Sequence, residues 1–401
     1  MPRPDSLLVA ALLTLLVAFG PLSTDLYLPA LPMLTEAFDA PVSQVQLTLS
    51  VFLVAFGVSQ LIYGSLSDRF GRRPVLIGGI VIYSLASTAC FFADSVETLI
   101  LGRFFQALGA CSGVVLARAV VRDVYGRERA AKVIAYMAMA MALAPAVAPI
   151  IGGVLTSAFG WRSNFLALLV IGLAALSGVF FLLQETNQHK DPDALRPGRI
   201  FRNFLTLLRS SSYRGYVIAV AAVYSGIFSF ISGSSFVFIS VLGLTPDQYG
   251  LCFGAVVIGF MGGSFAAGRL TVRLGIEKLV LMGAAICAVG GSFGLALAVA
   301  DVLTIASLVL PMIVFLFGCG LVMPNAIAGA VGPFPKMAGA ASSLLGFFQM
   351  GIAALVGVLV GHSEATSGLP MYLAIFICGV VALLTGTAIY RAKGKMEDTG
   401  W

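Results

Sequence analysis

Two ionisable residues sit where a charge is expensive. Asp25 lies in "PLSTDLYLP" and Arg103 in "LGRFFQALG", each deep inside a long apolar run. Charged side chains at such depth are rare and mark function by default. A proton carrier must release its proton, which arginine does not do near neutrality. Asp25 is therefore the candidate carrier and Arg103 the fixed positive charge. Burial disfavours a charged carboxylate, a neighbouring arginine favours it, and an arriving cation or an opening to water shifts the balance. Each residue also has a plainer reading. Asp25 caps a helix break beside Pro21, Pro29 and Pro32, and Arg103 donates to carbonyls of the first apolar segment.

Little else in the chain could do chemistry. The two histidines, His189 and His362, fall in polar connections. Cys90, Cys111, Cys252, Cys287, Cys319 and Cys378 fall within or at the edge of apolar blocks without ligand spacing, as small packing residues do. There is no glycine-rich phosphate loop, metal-ligand cluster or nucleophile motif. Neither an enzyme nor a metal site is expected.

The elements that must position Asp25 and Arg103 follow from composition. Of 401 residues 59% are hydrophobic and 10% charged, against about 25% charged in a soluble domain. The apolar residues form twelve blocks, near 7–31, 45–66, 75–93, 97–119, 131–155, 163–184, 213–242, 247–268, 277–298, 301–325, 338–361 and 367–391. Each has the length of a membrane-crossing helix, the form in which a lone segment satisfies its backbone within lipid. The first block is read as a span rather than a cleaved leader. With the N-terminus inside, 22 of the 24 Lys and Arg lie on the inner side, leaving Arg162 outside and Arg103 within a span. Glu36, Asp39, Asp94, Glu97, Asp247, Asp301 and Glu364 then lie outside. This positive-inside pattern puts both termini in the cytoplasm and explains the net charge of +6 without nucleic acid.

The longest polar stretch, "QETNQHKDPDALRPGRIFRNFLTLLRSSSYRG", separates six spans from six. It reads as a cytoplasmic linker with a short interfacial helix in "RIFRNFLTLLR". The division is into residues 1–184, a linker 185–212, and 213–401. The halves share a degraded repeat: Gly64, Arg69 and Gly71 of "GSLSDRFGRRPVL" recur as Gly268, Arg273 and Gly275 of "GRLTVRLGIEKLV". The expected fold class is an all-α membrane protein of twelve transmembrane helices in two six-helix halves.

"GSLSDRFGRRP" matches every defined position of G-x-L-x-D-R-x-G-R-R/K, and so resembles the signature loop of the major facilitator superfamily. "STDLYLPALP", "LGRFFQALGA", "LAPAVAPIIGG" and "GWRSNF" resemble its bicyclomycin-resistance (Bcr/CflA) branch, strongly in the first half and mainly by topology in the second. "LQET", ending at Thr186, resembles the "PET" that closes the sixth helix, without its proline. The resemblance implies a cytoplasmic latch, with Gly64 letting helices approach, Asp68 capping and pairing across the halves, and Arg72 pairing with an acid at Asp123. It implies a helix-5 antiporter motif at Pro145, Pro149, Gly152 and Gly153, and a proton site where Gln106 partners Arg103 near Asp25. It further implies substrate contacts in the cavity-lining helices, for which Tyr136, Met139, Met141, Tyr224, Phe228, Asn325, Phe348 and Gln349 are candidates. Packing or lipid contact accounts for those eight equally well.

The activity so implied is proton-coupled efflux of small drugs by alternating access. It would be driven by the proton gradient without a cofactor, by a monomer in the bacterial inner membrane. The first helix lacks a second acid, reading "LLVAFGP", which favours neutral or zwitterionic cargo over dications. Export of a metabolite by the same fold is the alternative.

Overall fold

The computed structural model describes residues 6–125, 127–188, 190–363 and 368–398. Arg3, His189 and Glu364 lie outside them. The first apolar block is broken rather than straight, and prolines place the breaks. Helix α1 (Leu7–Val17) stops four residues before Pro21, and α2 (Phe19–Asp25) stops four before Pro29. A proline has no N–H for the carbonyl four residues back, and its ring crowds that carbonyl. A 3-10 turn (Leu28–Ala30) and α3 (Leu31–Phe38) follow, so the segment read as 7–31 continues to Phe38 in short pieces. Its two parts, Leu7–Val17 and Phe19–Phe38, are bent by 42°.

The first unit continues with α4 (Val42–Phe70), α5 (Arg72–Phe91), α6 (Val96–Val124), α7 (Arg127–Phe159) and α8 (Arg162–Leu182). Then come α9 (Pro197–Arg209), α10 (Ser211–Ser235) running on as a π-turn over Phe236–Val241, α11 (Pro246–Leu274), α12 (Ile276–Val299), α13 (Ile305–Val331), α14 (Ala338–Gly361) and α15 (Leu369–Asp398). Eleven helices among the described residues are long and apolar enough to cross a membrane, and the bent pair makes up to twelve. Several run further than their apolar blocks: α4 reaches 70 rather than 66 and α11 reaches 274 rather than 268, carrying charged residues beyond the hydrocarbon.

The chain forms two compact units, Met1–Ile200 and Phe201–Trp401. They are packed alike. In the first, α5 packs on α6 and α8, and α4 on α6; in the second, α12 packs on α13 and α15, and α11 on α13. Without a hydrophobic drive inside lipid, helices associate by close backbone approach at small residues. The sequence repeat extends to such a point. Gly79 and Gly283 are 204 residues apart, as are Gly64 and Gly268. A Cβ at Gly79 would lie 2.1 Å from Ser112 Oγ, and one at Gly283 2.8 Å from the Gly318 carbonyl oxygen.

Candidate functional site

The break in the first segment delivers Asp25 to the interior of the first unit, where 3% of it is exposed. Its hydrogen-bond partner among the described residues is Thr24, whose Oγ1 lies 2.8 Å from Asp25 Oδ1 and 3.1 Å from the Pro21 carbonyl oxygen. The same hydroxyl also lies 3.3 Å from the Gly20 carbonyl oxygen. Helix α7 comes against this break at the antiporter motif. A Cβ on Gly152 would stand 1.6 Å from the Leu26 carbonyl oxygen, so no larger residue fits. Pro149 and Gly153 are buried and Pro145 is half-buried, all within an unbroken α7.

Arg103, on α6, is fully buried. Its Nη1 donates to the Ser23 carbonyl at 2.8 Å and to Gln106 Oε1. Ser23 lies in the last turn of α2, where carbonyls lose their intrahelical partners. The guanidinium stands 4.2 Å from the Phe52 ring centre and 4.5 Å from that of Tyr27, the stacking that makes arginine tolerable in a dry site. Gln106 Nε2 donates to Ser87 Oγ at 2.8 Å, and Tyr83 OH lies 2.9 Å from Ser23 Oγ. The polar side chains of α2, α5 and α6 thus form one buried cluster. No ion pair joins Arg103 to Asp25. The arginine holds one backbone carbonyl two residues earlier, that of Ser23, and Gln106 is its side-chain partner.

At the other end of α4 the signature loop forms a second cluster. Arg72 reaches Asp68 at 2.6 Å, Asp123 at 3.0 Å and Ser67 Oγ at 2.6 Å. One guanidinium so joins the end of α4, the start of α5 and the end of α6. Asp68 is engaged within its own unit, by the residue four positions on. Gly64 does not make the expected close approach, because a Cβ there would meet no atom within 4 Å in this conformation. Gly71 has φ +108°, and a Cβ would lie 2.4 Å from Glu185 Oε2.

Glu185 escaped the sequence reading. Its carboxylate accepts from the Arg72 N–H at 2.9 Å and the Arg73 N–H at 3.2 Å, capping the N-terminus of α5 where orphan donors and the helix dipole favour a negative charge. Asn187 Nδ2 donates to the Ser67 and Asp68 carbonyls at 3.2 and 3.0 Å, and the Asp191 N–H donates to the Asp68 carbonyl at 3.0 Å. The start of the linker therefore closes both helix ends of the loop. The "QET" ending was the available signal, but a glutamate after an apolar run carries no mark of its distant partner. In the second unit the acid sits on the helix itself: Glu277, in the first turn of α12, accepts from Lys393 at 3.1 Å.

The substrate candidates scatter. Phe228 is 1% exposed, within the second unit. Asn325 accepts from Thr271 Oγ1 at 2.8 Å and donates to the Leu321 carbonyl at 2.8 Å. Its amide ties α11 to α13. Tyr136 and Met139 are exposed on α7, and Met141 is half-buried with its sulfur 3.4 Å from Arg118 Nη2. Tyr224 and Phe348 are half-buried, and Gln349 is buried.

A family model described as Major Facilitator Superfamily matches residues 13–358. The chain is 30% identical over 378 residues to a bicyclomycin resistance protein homolog of Haemophilus influenzae, with 94% of each chain covered. It is 30% identical to multidrug resistance protein D of Escherichia coli K12, over 93% of this chain and 94% of that one. A D-xylose-proton symporter of known structure superposes with a TM-score of 0.72 at 16% identity, covering 96% of this chain and 97% of that one, which shows the fold alone. The match over most of the chain, the full-length relatives and the apolar helices place this chain in the Major Facilitator Superfamily, with its bicyclomycin-resistance branch, as a multi-pass membrane transporter and not an enzyme.

Proposed function

We propose that the chain exports small neutral or zwitterionic drugs in exchange for protons, by alternating access, with Asp25 as the proton carrier. The observation that carries this reading is the buried carboxyl of Asp25, held at a helix break with the Thr24 hydroxyl as its hydrogen-bond partner among the described residues, next to the Leu26 carbonyl on which Gly152 of the antiporter motif closes. A carboxyl with so few fixed partners is free to exchange its proton when the site opens. The names of relatives, bicyclomycin resistance and multidrug resistance, support drug cargo. The charge distribution supports a cytoplasmic membrane with both termini inside, and nothing in the mechanism calls for a cofactor or a second copy.

One carboxyl means one proton per cycle. An inward proton gains about 2.3 kcal/mol per 100 mV and about 1.4 kcal/mol per pH unit. Together these sustain roughly a several-hundred-fold gradient of a neutral solute. A monovalent cation exchanged one for one would move no net charge and feel the pH term alone, so neutral cargo suits a one-acid site better. The test is Asp25→Asn in proteoliposomes with an imposed pH gradient. Uphill transport and substrate-induced proton release should both vanish while substrate still binds. Accumulation against a gradient by the Asn variant would refute the assignment.

A further inference from the structure

Helix α9 (Pro197–Arg209) is amphipathic. Placed at 100° per residue, its apolar positions fill one arc, in the order Leu207, Ile200, Phe204, Leu208, Phe201 and Leu205. The arc is divided. Leu207, at one edge, is fully buried, whereas Phe201 and Leu205, at the other, are 69% and 39% exposed. Arg202 and Arg209 flank that exposed edge and are themselves exposed. Arg196, before the helix, pairs with Asp193 at 2.9 Å, but from Arg199 to Arg214 the sequence holds four arginines and no acid. The Arg214 Nη1 donates to the Leu208 carbonyl at 2.9 Å, closing the C-terminal end of the helix.

We infer that α9 is a binding surface for anionic phospholipid, lying in the interface with Phe201 and Leu205 among the upper acyl chains and Arg202 and Arg209 on the headgroup phosphates. An edge that is apolar, exposed and bordered by uncompensated arginines fits that chemistry. Water would leave the aromatic ring uncovered, and a zwitterionic surface would leave the arginines without net countercharge. The protein-facing edge fixes the helix, and the long arginine side chains reach outward from it.

Full-length protein with a Phe201→Trp reporter is placed in nanodiscs of phosphatidylcholine alone or with 30% phosphatidylglycerol, each with and without brominated acyl chains. Bromine carried on phosphatidylglycerol alone should quench the reporter at least twofold more than the same amount carried on phosphatidylcholine. The preference should be lost in Arg202→Gln/Arg209→Gln but kept in Arg269→Gln/Arg391→Gln, which removes as much charge elsewhere. Trp161 and Trp401, common to all samples, are subtracted with the unsubstituted chain. Equal quenching by the two lipids would refute anionic recognition. An absence of quenching would refute interfacial placement, and disulfide cross-linking of Phe201→Cys between two copies would reassign the edge to a face between copies of the chain.

Discussion

Replacing Gly152 by alanine adds one methyl group where there is no room for it. The new Cβ would fall 1.6 Å from the Leu26 carbonyl oxygen, and ordinary contact begins near 3.4 Å. The obstacle is backbone, so no rotamer change relieves it, and α7 must retreat from the helix break that holds Asp25. Overpacking costs about 1–3 kcal/mol, and a rigid partner puts this site at the upper end. In a unit of this size about 3 kcal/mol lowers the melting temperature by roughly 6–12 °C. The loss should be read by thermal challenge of detergent-purified protein, followed by size-exclusion of the folded fraction, and efflux should fall as well because the retreat opens the packing beside Asp25. Gly64→Ala is the matched control. It lies in the best-defined motif of the chain, yet a Cβ there meets nothing within 4 Å, so its melting temperature should equal that of the parent. Parental melting and efflux for Gly152→Ala would refute the close approach, and a melting loss at Gly64→Ala would refute the open space.

The loop and the buried cluster give further expectations. Asp68→Asn removes a half-exposed ion pair while Arg72 keeps Asp123, so stability should change by less than about 1 kcal/mol while efflux falls. Arg273→Ala, in the copy without the aspartate, should impair efflux less, as measured by drug accumulation in cells lacking their own exporters. Glu185→Ala leaves the Arg72 and Arg73 N–H groups uncapped and should cost about 1–2 kcal/mol, read as a lower melting temperature that Glu185→Gln recovers in part. Arg103→Ala strips partners from the Ser23 carbonyl and Gln106, at about 1–3 kcal/mol for each group left unpaired. Arg103→Lys should restore the charge but not the planar stacking on Phe52 and Tyr27, and so should recover stability only in part.

Punctuation and charge were the legible parts of the sequence. Pro21 and Pro29 state the breaks at Val17 and Asp25 through the four-residue hydrogen-bond register, although the apolar run itself reads as one block. Arg103 and Gln106 are a helical turn apart, and Arg72 and Asp123 are the opposite charges left over at two helix ends. Glu185 was illegible because its partners are backbone N–H groups, which every residue has. Nor could the pattern separate a packed residue such as Phe228 from one that lines a cavity. In a membrane helix the face toward the core, the face toward lipid and the face toward a cavity are all apolar, so the polar-apolar contrast that marks faces in water is missing.

The stitching of Glu185, Asn187 and Asp191 onto the loop between α4 and α5 bears on where the polypeptide can be divided. Counting apolar blocks suggests a cut after the sixth, near residue 184. A fragment ending there would leave α5 uncapped and the Asp68 carbonyl stripped of the Asn187 and Asp191 donors, and would leave the Ser67 carbonyl with the Gly71 N–H alone. The first half becomes complete only once the chain has passed Ala194, which closes the turn begun at Asp191. Two genes meant to reassemble a working transporter should therefore be separated beyond that turn, and a fusion or protease site inserted at Glu185, Asn187 or Asp191 would sever contacts that hold the loop between α4 and α5 rather than cut a tether.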